Sequence, residues 1–573
     1  MLNLCFEHQL SPGNYTLLIS YKKNISKDIE EDYLKILFWH AARTKQSTLV
    51  ATNIHSVEAR KWFPCWDEPE FKTTFQFKFN HKKKYSLWPT LSKGSSTQHD
   101  QKKQDSMWTT FIISDSISTY QVMFTITDLY FNEKYILRAT SDTLHKSFHT
   151  IRSRPIVGDS MEFSEDVIVK IIDAEWYRAI PGNIMSANHI AIPAMQDDVI
   201  GKWRIILYKE SLVTYDEEID SSAHKREVAS TVARGIVYQA IDNAITPLWW
   251  SYLWFNKGLA TILHVELLNE IFPEWRFVDL FVVQVQQDCL RLDTNFNMKP
   301  LLHEVQTSSE IKSLFSFPIY VKAPVILHMI KHILGNEFQK VLKRYTQIFR
   351  NMEYSYSKSL SPNYLWDMMQ VYMFCALIEE IDTPKLYDLT MKDIIETWLT
   401  RSNHPIVHVH RNGSMLFIRQ SENEFYIDDK GNAQVLRHWL PITFTTWEQL
   451  DFNDTTPHHW ITPENSTGIS VRLTSKKGWI ILNLQQTGYY RVKYDKKSLK
   501  LIGEYLRYAD FIKIHILNRA QIIDDTYYFL MRGEVTYREF VNFIYYFPRE
   551  RNYVVWYPMF QIFRHFAFYT ICR

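Results

Sequence analysis

Arg234 and Tyr238 stand four residues apart in a run of helical periodicity, and Lys257 follows nineteen residues after Tyr238 in a second such run. Residues at i and i+4 share a helix face, the spacing by which a helix can pinch one metal ion. The residue types argue against that chemistry. Zinc takes lone-pair donors such as neutral imidazole, thiolate or carboxylate, usually three from the protein plus a water at a catalytic centre. Arg234 has no acceptor and stays protonated, so it repels a cation. Lys257 could ligate only as a neutral amine, far below its reference pKa of about 10.4. Tyr238 could supply a phenolate, but one ligand does not make a site. No Gly-x-Ser-x-Gly, P-loop or Cys-x-x-Cys pattern offers substitute chemistry. His408 and His410 share one face of a strand pattern, yet no third ligand is near in sequence, and a solvated or core strand accounts for them. His458 and His459 sit in a loop beside Pro457 and need no function.

The elements that would position these residues are helical: Glu227 to Tyr238, Leu253 to Ile271, and Tyr320 to Leu334. Around them the pattern changes three times. Residues 1–135 alternate apolar and polar in short runs, such as Tyr15 to Tyr21 and Tyr120 to Ile126, which predicts an all-β domain. Residues 136–403 pass from a short mixed stretch into long helical periodicity. Residues 404–495 return to strand pattern, and 496–573 are helical, including Phe540 to Tyr546 and Tyr553 to Phe568. The fold class is therefore multidomain α+β. The basic, polar stretch Lys93 to Lys103 reads as a solvated loop between strands.

At 573 residues the chain has ample length for several cores. A net charge of +2 gives no field that argues for nucleic acid or a membrane surface. Aromatic content of 15% suits broad buried interfaces rather than disorder. Five scattered cysteines do not form a disulfide framework, and Cys65 is expected to be a free buried thiol. Sequons at Asn14, Asn24, Asn412, Asn453 and Asn465 are compatible with secretion. No run of about 20 apolar residues is available as a membrane span, and the first residues lack the pattern of a signal peptide.

Five segments carry a resemblance to one family. Ala59 to Pro69 is similar to an Ala-Arg-x-x-Phe-Pro-Cys-Phe-Asp-Glu-Pro turn, and Ile192 to Trp203 fits Leu-Pro-Asp-Phe-x-x-Gly-Ala-Met-Glu-Asn-Trp without a gap. Tyr320 to Ala323 resembles Tyr-x-Lys-Gly, Trp479 to Tyr494 resembles a Trp-x-x-x-Asn…Gly-Tyr-Tyr-Arg-Val-x-Tyr segment, and Arg519 to Asp525 matches a helix that opens a last domain. In this order they resemble the aminopeptidase N family of zinc metallopeptidases, of the gluzincin type. The resemblance implies an N-terminal β domain, a thermolysin-like peptidase-type domain, a small β-sandwich and the start of a C-terminal helical domain. It further implies that both ends of the family's chain are missing here, and a secretory, extracellular or cell-surface location.

The family carries a His-Glu-x-x-His helix and, in register, a Trp-Leu-Asn-Glu-Gly-Phe-Ala helix. By that resemblance Arg234, Tyr238 and Lys257 stand at the metal-ligand positions and Gly235 at the general-base position, so the activated water is lost as well. Gly201, with Lys202 beside it, stands where the family's Glu holds a peptide's α-ammonium, and Asn53 and His55 fall in a first-domain segment facing the same amine. Tyr320 is retained; in the family it would stabilise an oxyanion, and without a metal it is read as idle packing. The expectation is a catalytically inactive homologue with no cofactor, acting by binding peptide or protein, or a decayed copy. The alternative is an active zinc aminopeptidase with atypical ligands. Arg234, Lys257 and Lys202 together would turn the cleft cationic, toward acidic peptides or a C-terminal carboxylate, unless acids such as Glu210 or Asp242 compensate. The structural reading has Arg234 and Lys257 filling the metal void and pairing with such acids. Restoring His, Glu, His and Glu at 234, 235, 238 and 257 is then expected to revive metal binding if the scaffold is intact, and at best in part.

Overall fold

The computed structural model describes residues 11–21, 33–40, 45–52, 56–89, 95–101, 103–139, 146–174, 186–296, 298–352, 391–421, 425–427, 433–435, 437–465, 467–475 and 477–571. Its first region is built of strands. Tyr33–His40, Lys45–Thr52, Phe124–Thr127 and Ser86–Pro89 form a four-stranded antiparallel sheet in that order. Alternation sets its faces: Ser47, Leu49 and Ala51 are buried while Thr48 and Val50 are only half covered. A second antiparallel sheet joins Lys78–Lys82, Ser106–Phe111 and Ser95–His99.

Three local expectations fail in this region. The segment from Tyr15 to Tyr21 forms no strand, and its apolar side chains are exposed. Conversely, Ser95–His99, expected in a loop, is a strand with all five side chains exposed. Backbone pairing to Ser106–Phe111 holds it, and side-chain polarity carries no trace of that ladder. Tyr120 also begins not in a strand but in the 3-10 turn Thr119–Gln121, ahead of Phe124–Thr127.

A five-stranded mixed sheet follows, ordered Asn132–Ala139, Lys146–Ser153, Ser186–Ile192, Ile205–Lys209, Val199–Lys202. The central strands pair in parallel and the last pair is antiparallel, placing Gly201 opposite Ile206. Asn132–Ala139 crosses the limit expected at residue 135 and belongs to this sheet. Against its edge lies the helix Ser222–Ala244, capped where Ser221 Oγ accepts from the His224 N–H at 3.2 Å. The helix Leu253–Ile271 packs on it and, on its other side, on Ala323–Leu334. Gly258 makes the second contact possible, since a Cβ there would lie 2.9 Å from Leu327 Cδ1 and 3.0 Å from Ala323 Cβ.

The third region centres on a four-stranded sheet ordered Ile469–Arg472, Met415–Gln420, Ile406–Asn412, Arg491–Tyr494. Val407, Val409 and Arg411 point inward, so His408 and His410 occupy the outer face, and His410 Nδ1 meets Asp495 at 3.3 Å. Helices Lys496–Tyr508, Ile516–Met531, Tyr537–Ile544 and Tyr553–Ile571 complete the described chain.

The recurring sequence segments meet at buried polar locks between these regions. Lys322 Nζ pairs with Asp293 Oδ2 at 3.0 Å, and the Tyr489 hydroxyl donates to the same oxygen at 2.8 Å. Arg491 bridges Asp524 and Asp525, each at 2.8 Å, and Arg291 reaches Asp524 from the preceding helical region. Burial pushes the Asp525 carboxyl up to about 7, against the pull of Arg491.

Candidate functional site

A cavity of about 730 Å³ opens where the helices Ser222–Ala244 and Leu253–Ile271 meet the edge strand Val199–Lys202 and the π-turn Pro318–Lys322. Gly201, Lys202, Tyr238, Lys257 and Tyr320 all line it, five of the residues singled out by sequence. Four more were singled out. Asn53 and His55 lie outside the described residues. Arg234 and Gly235 are described but are not among the lining residues.

At the centre is an ion pair. Lys257 Nζ stands 2.6 Å from Asp242 Oδ2, with the two side chains 13% and 9% exposed. The same ammonium sits over the Tyr238 ring, 5.1 Å from its centroid. Burial alone would depress the Lys257 pKa, but the Asp242 charge and hydrogen bond, with the Tyr320 and Tyr238 phenols, outweigh it and hold the group above its ordinary value. The Tyr238 hydroxyl lies 3.2 Å from Thr261 Oγ1, which itself donates to the Lys257 carbonyl at 2.8 Å; Tyr238 is therefore the donor. Burial raises the Tyr320 phenol as well, against the neighbouring Lys257 charge.

Lys202 enters from the strand edge and donates to the Tyr120 carbonyl at 3.0 Å. Burial, reinforced by the Lys257 charge, pulls its pKa down to about 8. Lys312 pairs with Glu58 at 2.8 Å at another wall. The lining thus holds Lys202, Lys257 and Lys312 against Glu58, Asp197 and Asp242. The expected excess of three positive charges is corrected: Arg234 turns to Asp198 at 3.3 Å, and the acids match the lysines. Of the two compensating acids expected, Asp242 does the work and Glu210 is engaged elsewhere, by Arg154 at 2.5 Å.

Gly235 faces the sheet. A Cβ there would stand 2.8 Å from Ile206 Cγ2, 2.8 Å from Tyr208 Cε1 and 2.9 Å from Tyr208 Oη. Tyr208 is held in turn by His189 Nδ1 at 3.1 Å, and His189 by His149 at 2.9 Å, all three buried. Gly201 continues the contact, since its Cβ would meet the Gly235 carbonyl at 3.1 Å. Helix and strand approach closely because both side chains are absent.

Sequence reasoning did not single out Glu58, Tyr120, Trp250 and Lys312 as site residues, although Tyr120 begins a run read as strand and Glu58 adjoins the Ala59 to Pro69 motif. Asp242, one i+4 step beyond Tyr238, is one of the compensating acids expected from sequence. Cys65, expected to be buried, is half-buried, and burial with Asp67 beside it pushes the thiol up to about 12.

Three family profiles match in succession: the Peptidase M1 N-terminal domain over residues 2–121, the Peptidase family M1 domain over 165–398, and the ERAP1-like C-terminal domain over 479–569. The chain belongs to the M1 peptidase family. It is 26% identical over 516 residues to aminopeptidase N of Plutella xylostella, covering 89% of this chain and 52% of that protein. To the membrane alanyl aminopeptidase of Manduca sexta it is 26% identical over 553 residues, 95% of this chain and 53% of the other. Aminopeptidase N of Homo sapiens is 26% identical over 523 residues, 89% and 51% of the two chains. The chain spans about half the length of these curated relatives. Among the described residues no single helix is long and apolar enough to cross a membrane.

Proposed function

We propose that this M1-family chain is a catalytically inactive aminopeptidase N homologue that binds a peptide segment in the Lys257 cavity. The observation that carries the proposal is the Lys257–Asp242 pair at 2.6 Å, seated over Tyr238. A lysine ammonium there does the electrostatic work of a resident cation, and it offers no empty orbital to a carbonyl or a water. The donor set does not fit zinc. The Tyr238 hydroxyl donates to Thr261, Lys257 is held protonated, and Arg234 is paired with Asp198. Among the described residues no three His, Cys, Asp or Glu side chains come together. Gly235 supplies no carboxylate at the general-base position.

Peptide binding draws its support from the peptidase family and from the cavity, whose volume falls within the ~300–1,000 Å³ typical of ligand sites. Its walls mix the rings of Tyr120, Trp250, Phe315 and Tyr320 with a few charged groups. The finer part of the proposal is that an anionic peptide group, a C-terminal carboxylate or an acidic side chain, meets Lys202.

Metal analysis of protein purified without added zinc, with an aminoacyl chromogenic substrate, tests the inactive reading. Substoichiometric zinc and no turnover are expected; one zinc per chain with turnover overturns it and leaves the active alternative.

A further inference from the structure

A second cavity, of about 550 Å³, lies at the opposite end of the helix Ser222–Ala244. It forms where that helix's first turn meets the Phe272–Phe277 turn and the start of the helix Tyr553–Ile571. Four of its ten lining residues are cationic, Lys225, Arg226, Arg276 and Arg551, and none is a carboxylate. Arg276 pairs with Asp279 at 2.7 Å. Among the described residues the other three have no carboxylate within ion-pair distance. Rings hold two of them instead. Lys225 Nζ lies over Phe163 and Tyr215, at 5.2 and 4.9 Å, and the Arg226 guanidinium lies 5.4 Å from the Phe277 ring. Glu550, next in sequence to Arg551, gives one oxygen to Arg519 at 3.0 Å and the other to the backbone N–H groups of Arg551 and Asn552 at 3.0 and 2.9 Å, away from the Arg551 side chain.

Aromatic faces position a cation without neutralising it, so three cationic side chains with no carboxylate partner among the described residues border one concave space. The Arg226 Nε–H is buried with no acceptor among the described residues, a donor without the partner that burial demands. The helix N-terminus at Ser222 adds partial positive charge to the same space, whereas the start of the Tyr553 helix is already capped by Glu550 and Asn552. The chemistry that answers this arrangement is compact, multiply charged and rich in oxygen acceptors. A single carboxylate would neutralise only one of the three charges, whereas adjoining phosphates present several oxygens to the guanidinium forks.

We propose that this cavity binds a small polyphosphate group, free or carried on a nucleotide or a phosphorylated small molecule, and so fastens the peptidase-type helix to the last helical region. From Arg226 to Asp242 is sixteen residues along one helix, about 24 Å, so this site is separate from the peptide cavity. Isothermal titration of the whole chain with tripolyphosphate at low salt tests the proposal. Micromolar binding is expected, with a raised thermal midpoint. Arg551→Glu, at an exposed position, should weaken binding at least tenfold, and Lys225→Gln serves as an independent second variant. Lys497→Glu, an equal charge change at an exposed lysine elsewhere, should leave affinity within twofold. A nucleoside triphosphate binding tighter than tripolyphosphate assigns a nucleotide; equal affinity assigns the phosphate group alone. No heat up to millimolar tripolyphosphate overturns the proposal. So does equal loss in Arg551→Glu and Lys497→Glu, or orthophosphate binding as tightly at matched ionic strength.

Discussion

A buried ammonium costs a great deal unless a carboxylate meets it, and Lys257 has one at 2.6 Å in Asp242. Lys202, lining the same cavity, is placed differently: its donor goes to a backbone carbonyl, and its pKa falls to about 8. The two lysines therefore separate by pH. Lys202 is protonated below about pH 8 and neutral above it, while Lys257 stays charged throughout that range. Glu58 and Asp242 are the carboxylates whose charge favours the protonated form of Lys202, and Lys257 opposes it. Binding of a peptide carboxylate through Lys202 should hold from pH 6 to 7.5 and fall roughly tenfold per unit above pH 8, in line with single-proton linkage. Titrating a peptide with a free C-terminus against its amidated form at pH 7 and pH 9 checks this. A preference for the free acid that is unchanged at pH 9 would show that Lys202 is not the contact.

At the scale of elements, the closeness of the Ser222–Ala244 helix to the sheet decides whether the peptidase residues could return. Glutamate at 235 must place its Cβ within 2.9 Å of Ile206 and Tyr208, and Tyr208 has no open side to move into because His189 and His149 back it. Overpacking of this kind costs about 1–3 kcal/mol. Gly235→Glu should therefore lower the thermal midpoint, and the fourfold return to His, Glu, His and Glu should neither bind zinc stoichiometrically nor match the parent's stability. Adding Tyr208→Ala should recover part of the lost midpoint. Native-like melting and one zinc in the fourfold variant would contradict the packing argument. Much of the frame was legible in the sequence. Periodicity located Leu253–Ile271 with its limits, and register brought Tyr238, Lys257, Gly201, Lys202 and Tyr320 to one cavity. What sequence could not supply was tertiary. Arg234 shares its helix face with Tyr238, yet Asp198 from a separate loop takes its guanidinium. The contact of Gly235 with Tyr208 depends on how helix and sheet approach, which spacing along one chain does not encode.

Across the whole molecule, the segments that carried the family resemblance are mostly fasteners between regions. Lys322 and Asp293 are 1% and 0% exposed, and Tyr489 from the third region closes on the same carboxylate. Lys322→Met would leave Asp293 buried with one hydroxyl partner, a loss of about 3–5 kcal/mol for a broken buried pair. Urea denaturation should show that loss, and Lys322→Met with Asp293→Leu should be less destabilised than Lys322→Met alone. Equal loss in both would mean the lysine stem, not its charge, is what matters. The central cation has a different consequence. Lys257 is joined to the chain by covalent bonds, so its charge cannot dissociate, be stripped by a chelator or be traded for another ion. A protein arranged in this way carries its own counter-charge for Asp242 from the moment of synthesis.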